Sequence, residues 1–434
     1  MEEKRPSWTS RYTFILAAIG SAVGLGNIWR FPYIMGQQGG AVFLLIYLLL
    51  IVTICFIPLF AELTMGKITK KECIGAFESV NPKFKILGLL NPLTGILISS
   101  FYFIVGGWII NYIFLGLTNA NIENYSAYYT ELTQNAIPAC LYTLLFLFIC
   151  IYFTGRGIKK GIELANNILM PLFAIIMIGL IIFSLQLPNA YAGLEYMFKP
   201  DFSKVNSQMF LAALGQALFT LSIGMGALLT YGSYISEDKS ITKTTYTIIF
   251  SDTVFAILAG IMIFPAIFSF GLEPNSGAGL VFVTLPHIFS QIPYGNIVSL
   301  LFFVLLLAAA VTSGLSILEV PVASISERLK MTRAKASYWV FMLISAIAIP
   351  ATLSFGALSD FKLLDKSIFD FLDFATSNVL MPLNAFFLCI VAGWFLKIRG
   401  EMFIKNKFLS KLFDFGLKFA APLVLLLLLI IGLH

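Results

Sequence analysis

The chain has 434 residues, of which 59% are hydrophobic and 12% are charged, and its mean hydropathy is +0.91. Soluble domains are roughly 45–50% apolar and 25% charged, so this composition excludes a soluble fold and predicts a polytopic protein of the lipid bilayer. The formal net charge of +6 comes from basic loops, which indicate membrane topology and argue against nucleic-acid binding.

The chain carries eleven apolar segments long enough to cross a membrane, because roughly 20 helical residues span a hydrocarbon core of about 30 Å. No linker divides them, so we expect one all-α transmembrane domain over 1–434. The first segment continues through Asn27 and Arg30, and we interpret it as a retained helix and not as a signal peptide. The approximate bounds of the segments are 11–36, 41–66, 86–118, 136–154, 162–186, 207–236, 241–271, 296–326, 335–356, 367–396 and 410–433.

The distribution of Lys and Arg predicts the orientation, because basic loops stay in the cytoplasm. If the N-terminus is cytoplasmic, most loop Lys and Arg lie inside, and the outer segments carry only Lys199, Lys204, Lys362 and Lys366. The odd number of helices then places the C-terminus outside. We expect a multi-pass protein of a bacterial or archaeal inner (plasma) membrane.

Two segments differ from ordinary spanning helices. Residues 20–27 (GSAVGLGN) and 220–226 (TLSIGMG) place Gly-x-Gly sequences with hydroxyl or amide side chains near the bilayer midplane. Close helix packing explains either segment alone. Each segment, however, lies in the first helix of a five-helix unit, about 11–186 and about 207–396. The pair therefore indicates a five-plus-five inverted repeat with helices 1 and 6 broken at the midplane and a binding site between them, while helix 410–433 lies outside the repeat.

Broken helices suit a particular pair of ligands. An unwound stretch frees carbonyls at the end of one half-helix and amides at the start of the next, and both need partners in hydrocarbon. The carbonyl ends are partly negative and suit a cation such as Na⁺, while the amide ends are partly positive and suit a carboxylate. This arrangement predicts sodium-coupled binding of an amino acid.

The residues around the first break carry a specific resemblance. Residues 21–33 (SAVGLGNIWRFPY) closely resemble the first helix of the neurotransmitter:sodium symporter family. The similarity continues through 215–222 (GQALFTLS) and Thr312-Ser313, so it covers essentially the whole chain. It implies a sodium symporter that imports an amino acid by alternating access, and not an enzyme.

The resemblance implies two sodium ions, both held by hard oxygen ligands, which a small hard cation prefers. The first site would use Ala22, Asn27 and Thr220 together with the substrate carboxylate, and its last ligand stays unassigned. The second site would use Gly20, Val23, Ala309, Thr312 and Ser313. Taken alone, the Thr312-Ser313 pair is also typical of helix packing.

The resemblance also implies a substrate site, in which the amides of Leu25 and Gly26 and the Tyr102 hydroxyl bind the carboxylate. Phe219 would close over the ligand, and Met225 would face its side chain. We expect a hydrophobic L-amino acid, with aromatic ones slightly favoured over Leu. The implied contact residues are Ser21, Ala22, Leu25, Gly26, Ile98, Tyr102, Phe219, Thr220, Ser222, Met225, Ser313 and Ile317.

Several charged residues near the helix ends are candidate gates. The resemblance pairs Arg30 with Asp373 across an outer vestibule, although independent snorkelling to the interface is the alternative. Arg5, beside Trp8, would pair with Glu327 on the inner side. By the same resemblance, Glu62 is expected to support the unwound sixth helix.

Asp252 departs from the chloride-dependent members of the family, which have a serine in the seventh helix. With Tyr47, Gln216 and Thr220 around it, Asp252 would replace chloride with a fixed negative charge, and uptake would be chloride-independent. In the fifth helix, Gly161 and Pro171 resemble a pair linked to local unwinding, and an ordinary proline kink is the alternative.

Three other functions remain to be weighed. A proton-coupled carrier of this architecture would lack the Thr312-Ser313 hydroxyls. An intramembrane hydrolase needs a catalytic base, and the sequence offers few candidates for it beyond His287 and His434. A channel would not be occluded by Tyr102 and Phe219. No obligatory protein partner is evident. No disulfide framework is predicted, because Cys73 is expected to be an exposed loop thiol and the others lie in apolar segments, namely Cys55, Cys140, Cys150 and Cys389.

Overall fold

The computed structural model describes residues 7–118, 122–236, 240–272, 279–400 and 406–433. Within these ranges the chain is almost entirely helical, and the one extended pairing is an isolated bridge between Leu363 and Lys366. The prediction of an all-α polytopic membrane fold is confirmed.

Nine helices in the described ranges are long and apolar enough to cross a bilayer. A tenth span is the bent pair Arg11–Ala22 and Gly26–Gln37, whose halves meet at 44°. The pair Ser207–Thr220 and Ala227–Ser233 completes the eleven, with halves too short to span singly. The nine unbroken spans are Ala41–Thr69, Pro82–Thr118, Ala136–Gly155, Ile158–Leu185, Ile241–Ser269, Gly295–Arg328, Arg333–Leu353, Ile368–Phe395 and Lys407–Gly432.

We number the spans one to eleven along the chain and call the end with the basic loops the inner end. Spans three and eight, Pro82–Thr118 and Gly295–Arg328, are the most buried and pack against each other at the centre. Spans four, five and eleven expose large apolar side chains such as Ile137, Ile175 and Leu423, which is typical of lipid contact. Span one packs between spans five and eight, so its break lies inside the protein.

Short helices cover both ends of the bundle. Tyr125–Gln134, Ala190–Phe198 and Leu285–Ser290 lie at the outer end, and Cys73–Val80 lies at the inner end. Cys73 is fully buried on that inner helix, so the expectation of an exposed thiol is wrong. Its Sγ lies 3.3 Å from the carbonyl oxygen of Gly226, because the inner helix packs beneath the break of span six.

Span one begins and breaks for local reasons. Ser10 caps the helix by accepting a hydrogen bond from the Thr13 amide, and the Ser10 amide in turn donates to Thr13 Oγ1. The helix ends at Val23, whose ψ of 95° is extended, and resumes at Gly26. The two halves therefore present a carbonyl end and an amide end to the protein interior.

Span six breaks by a different backbone device. Ser222, Gly224 and Gly226 all have positive φ, at 53°, 79° and 75°, before the helix resumes at Ala227. Glycine adopts this region at little cost, whereas Ser222 is strained there. In span five, a widened turn over Ile158–Glu163 contains Gly161, so local opening of the helix accompanies the proline at position 171.

Candidate binding site at the two helix breaks

The two breaks are joined directly by side-chain to backbone hydrogen bonds. Ser222 Oγ donates to the carbonyl oxygen of Ser21 at 2.9 Å, and Gln216 Nε2 donates to that of Gly26 at 2.8 Å. These bonds satisfy part of the exposed backbone of span one, as burial in hydrocarbon requires. The remaining groups face a small cavity between the breaks.

The cavity has a volume of about 20 Å³. Eleven of the twelve predicted substrate contacts line it, and Gly24 is the additional residue. Ile98 is the exception: it is buried on span three one turn before Tyr102, but the closed cavity does not extend to that turn. The lining residues are Ser21, Ala22, Gly24, Leu25, Gly26, Tyr102, Phe219, Thr220, Ser222, Met225, Ser313 and Ile317.

Tyr102 presents a free hydroxyl to this cavity. Its Oη is buried and has no hydrogen-bond partner among the described residues. A Cβ on Gly24 would lie 3.5 Å from this oxygen and 2.2 Å from Ser313 Oγ, so glycine is needed for the close approach. The cavity thus combines an unpaired hydroxyl, backbone groups of both breaks and apolar walls.

Asp252 lies beside the predicted first sodium site. Asn27 Nδ2 and Thr220 Oγ1 each donate to Asp252 Oδ1 at 2.8 Å, and the Tyr47 hydroxyl donates to Oδ2 at 3.2 Å. Thr220 Oγ1 also lies 3.0 Å from Asn27 Oδ1. All four side chains are buried. The Asp252 carboxylate therefore belongs to one buried hydrogen-bond network with two of the predicted ligands, Asn27 and Thr220. Ala22 lines the adjoining cavity.

The predicted second sodium site lies between spans one and eight. Ser313 Oγ donates to the carbonyl oxygen of Gly20 at 3.1 Å, and Thr312 Oγ1 donates to that of Ala309 at 3.1 Å. Val23 completes the set at the end of the first half-helix. All five residues are buried, and the first half-helix of span one ends at this place, beside the unbroken span eight.

Three other spans hold the break of span six. The Gly224 amide donates to Glu62 Oε1 at 2.8 Å, and its carbonyl accepts from Asn384 Nδ2 at 2.8 Å. Asn384 Nδ2 also donates to Thr94 Oγ1 at 3.0 Å. We call these residues the Gly224 clamp: Glu62, Thr94 and Asn384. Glu62 was expected here, but neither Thr94 nor Asn384 was, since single neutral polar residues in apolar helices carry no distinctive pattern.

The outer side of the cavity is closed without the predicted ion pair. Arg30 and Asp373 both line a second cavity of about 50 Å³, but no ion pair joins them within 4.0 Å. The Arg30 guanidinium lies 4.5 Å from the centre of the Phe219 ring, and Ser377 Oγ donates to Asp373 Oδ1 at 2.8 Å. Direct pairing is therefore wrong for this conformation, because each group has another partner. Leu25, Tyr102 and Phe219 separate the two cavities.

The inner side is closed by the N-terminal segment. Trp8 is buried against Tyr231, and its Nε1 donates to the Tyr231 carbonyl oxygen at 3.2 Å. The buried Glu163 of span five accepts from the Thr9 amide at 2.6 Å and from Thr13 Oγ1 at 3.1 Å. The predicted gate between Arg5 and Glu327 cannot be described, because Arg5 lies outside the described residues, as does His434.

A second inner contact joins spans six, eight and nine and was not predicted. Glu319 is fully buried on span eight, pairs with the Arg333 guanidinium and accepts from the Tyr234 hydroxyl at 2.7 Å. Arg333 also donates to the Thr154 carbonyl oxygen at 3.0 Å. The available signal was an acidic residue inside an apolar helix, which marks a function or a partner.

Comparison with known proteins identifies the architecture. A sequence model described as "Sodium:neurotransmitter symporter family" matches residues 5–135 and 133–434. The chain belongs to this family. It is 41% identical to MhsT, whose crystal structure in complex with L-phenylalanine superposes with a TM-score of 0.91 over 99% of this chain and 100% of that one.

Two relatives carry names that state sodium dependence. The uncharacterized sodium-dependent transporter YhdH of Bacillus subtilis is 36% identical over 89% of this chain and 87% of its own length. An uncharacterized sodium-dependent transporter of Haemophilus influenzae is 34% identical over 99% of both chains. This chain is therefore a multi-pass, sodium-dependent membrane transporter and not an enzyme.

Proposed function

We propose that the protein couples the entry of two sodium ions to the import of a hydrophobic L-amino acid, with aromatic side chains favoured. The observation that carries this proposal is the cavity at the two breaks, where backbone groups and the Tyr102 hydroxyl meet apolar walls. Amides and a hydroxyl suit a carboxylate, and carbonyls suit an ammonium. Biogenic amines and γ-amino acids lack this pair of groups at one carbon and would fit poorly.

The walls of the cavity favour a large apolar side chain. Met225 and Ile317 form them, and Met225 is unbranched and polarisable, so it adapts to a ring and contacts its edge for about 0.3–1.5 kcal/mol. Ser21 and Ser222 could meet a ring hydroxyl or nitrogen, and no carboxylate lines the cavity to accept a cationic side chain. The bound L-phenylalanine of MhsT supports the same class of substrate.

The cavity of about 20 Å³ has room for about one water molecule, so an amino acid requires its expansion. Phe219 is the movable wall, since it separates this cavity from the outer one and contacts the Arg30 guanidinium. We infer that substrate enters when Phe219 swings outward, and that its return completes occlusion during alternating access.

The sodium gradient suffices for concentrative uptake. Each Na⁺ that enters down about 100 mV releases about 2.3 kcal/mol, and a roughly tenfold gradient adds about 1.4 kcal/mol. Two ions supply about 7 kcal/mol, the equivalent of about a 10⁵-fold substrate gradient. We place the protein in the plasma membrane with its N-terminus cytoplasmic and its C-terminus outside, as the basic loops predict.

Competition in proteoliposomes tests the proposal. Uptake of labelled L-leucine would be measured in Na⁺ and in K⁺ buffers, with each of the twenty amino acids as competitor. We expect uptake only in Na⁺, strong competition by Phe, Tyr, Trp and Leu, and none by Lys or Arg. If Gly or Ala outcompetes every large amino acid, the pocket is small and the substrate proposal is wrong. If Leu competes while the aromatic amino acids do not, only the aromatic preference is wrong.

A further inference from the structure

Asn166 of span five carries a buried amide oxygen that no contact within the described residues explains. The residue is fully buried, and its Nδ2 donates to the Ile162 carbonyl oxygen at 2.9 Å, which fixes the orientation of the amide group. Its Oδ1 has no hydrogen-bond partner in the described part of the chain. Leaving such an acceptor buried and unsatisfied is destabilising, so it points to a ligand.

The unpaired oxygen faces the break of span one. A Cβ on Gly20 would lie 2.2 Å from Asn166 Oδ1 and 3.1 Å from the Cβ of Thr312. The missing side chain of Gly20 thus lets spans one, five and eight meet at one point. Gly20 and Thr312 are two of the residues predicted to hold the second of the two sodium ions in the proposed function.

No donor is available to Asn166 at this point. The Thr312 hydroxyl is directed at the carbonyl oxygens of Ala308 and Ala309, and the Ser313 hydroxyl at those of Gly20 and Ser21. What converges is a group of neutral oxygens whose hydroxyl hydrogens are already donated to carbonyls, so none is left for Asn166 Oδ1. A small hard cation satisfies such a group at once, because amide, carbonyl and hydroxyl oxygens are its preferred ligands.

We propose that Asn166 Oδ1 is a further ligand of the second sodium ion, an inference that rests on the proposed function for the location of that ion. The ion would then contact span five as well as spans one and eight. Asn166 follows the widened turn Ile158–Glu163 by three residues, so sodium binding would also tether the part of span five that opens locally. Loss of the ion would free this segment and the neighbouring first half of span one together.

The competing explanation is a purely structural role for Asn166, which would depend on its Nδ2 group and not on Oδ1. The hydrogen bond from Nδ2 to Ile162 supports the widened turn whether or not sodium binds. Asn166→Ala and Asn166→Asp both remove this donor, but only Asn166→Asp keeps an oxygen toward Gly20. The two substitutions therefore separate a sodium ligand from a structural amide.

The experiment titrates Na⁺ against binding of labelled L-phenylalanine to the purified full-length protein, with K⁺ keeping the ionic strength constant. We expect Asn166→Ala to raise the Na⁺ concentration for half-maximal binding roughly tenfold or more, as loss of a metal-site partner typically does. Asn166→Asp should stay close to the wild type. Asn167→Ala is the matched control, because this neighbouring asparagine is exposed and should leave the Na⁺ titration unchanged.

Thermal unfolding in Na⁺ and in K⁺ provides the second readout. A lost ligand reduces the stabilisation that Na⁺ adds, whereas lost packing lowers the melting temperature equally in both salts. Asn166→Leu keeps the side-chain volume without the oxygen and serves the same comparison if the alanine variant does not fold. Equal Na⁺ titrations for the wild type and Asn166→Ala, or equal defects in the alanine and aspartate variants, would overturn the inference.

Thr312→Ala distinguishes failure of this inference from failure of the proposed function. If Thr312→Ala weakens Na⁺ dependence and Asn166→Ala does not, the second site stands and Asn166 is not part of it. If neither variant alters Na⁺ dependence, the location of the second ion is itself wrong and Asn166 has no role in sodium binding.

Discussion

Asp252 has three side-chain hydrogen bonds and no cationic partner among the described ion pairs. A buried charge in this setting is costly unless a bound cation lies nearby, and the predicted first sodium ligands Asn27 and Thr220 are its direct partners. At the residue scale, this proximity is the physical basis on which we predict chloride independence, because a fixed carboxylate would remove the need for a bound anion.

We predict that uptake by the wild type is unchanged when gluconate replaces chloride, and that Asp252→Ser creates a chloride requirement. The serine removes the charge and leaves space beside Tyr47 and Thr220 for an anion. Tyr47→Phe is the control, since it removes one hydrogen bond but keeps the carboxylate, and it should remain independent of chloride. A wild type that requires chloride would contradict the assignment of Asp252.

Met225 carries a second residue-scale prediction. Replacing it with the stiffer and larger Phe should shrink the cavity and lower the affinity for Trp relative to Leu by about tenfold, within the 10–200-fold range of small changes in apolar pockets. Met342→Phe, at an exposed position of span nine, is the matched control. Competition against labelled leucine measures the ratio, and an unchanged ratio would mean that Met225 does not contact the substrate side chain.

Residues differed in how far the sequence could reveal them. Asn27, Thr220 and Asp252 were expected near one another, and the structure joins their side chains by hydrogen bonds. Asn166 and Asn384 were not expected, because a lone amide in an apolar helix is equally compatible with packing and with a site. Its role depends on which oxygen or backbone group lies opposite, and that is decided by tertiary structure.

At the scale of elements, the break of span six depends on the Gly224 clamp more than on local propensity. The Gly224 backbone has φ of 79°, and a Cβ there would lie 2.2 Å from the Met381 carbonyl oxygen, so no other residue fits. Its amide and carbonyl are both satisfied by other spans. Met225 follows directly, so the clamp also determines where the proposed wall of the substrate site lies.

We predict that Asn384→Leu raises the KM for substrate several-fold, because the Gly224 carbonyl is left buried without its donor, a cost of about 1–3 kcal/mol. Thr94→Val removes only the outer bond of the clamp and should have a smaller effect. Initial uptake rates at saturating Na⁺ would be compared with surface expression. An Asn384→Leu variant with fewer molecules in the membrane but a wild-type KM would show that the clamp affects folding alone.

The eleven spans could be predicted because membrane thickness sets a minimum apolar length, and this requirement is visible in the sequence. Breaks in the helix within a span are harder to predict from apolar length. The apolar length of span six identifies a crossing, but each half of it is too short to count singly, and only the glycine pattern predicts the break. The exposure of Cys73 was misjudged for a related reason, since it depends on how closely the helices approach. Ile98 as a substrate contact and Arg30–Asp373 as an outer gate stay predictions, because this closed conformation shows neither contact.

At the scale of the whole molecule, buried polar contacts among the described residues close the inner side of the two breaks, whereas the predicted ion pair is absent on the outer side. Trp8, Glu163 and the pair of Glu319 with Arg333 tie the N-terminal segment and spans five, six, eight and nine together. Outside, Arg30 lies over Phe219 without an ion pair to Asp373. This asymmetry favours opening toward the outside first, and sodium binding would act by shifting a pre-existing equilibrium.

Arg333→Ala should shift this equilibrium toward the inward-open conformation. Removing one partner of a buried pair costs about 3–5 kcal/mol, and since Arg333 is partly exposed we expect about the lower value. About 3 kcal/mol is roughly a hundredfold change in population, so affinity for Na⁺ and substrate should fall together. Amide hydrogen exchange in Arg11–Ala22 should rise, because the N-terminal segment leaves its place. Lys335→Ala, an exposed change on the same span, is the control.

A double variant separates loss of the Glu319–Arg333 contact from general loss of stability. Glu319→Gln added to Arg333→Ala removes the buried unpaired charge and keeps a side chain that can accept from the Tyr234 hydroxyl. The thermal stability should therefore recover more than the population of the conformation with a closed inner side. We expect the melting temperature to return most of the way to the wild type, while exchange in Arg11–Ala22 stays elevated. If exchange in that helix matches the wild type in both variants, the Glu319–Arg333 pair stabilises the fold without holding the inner side closed.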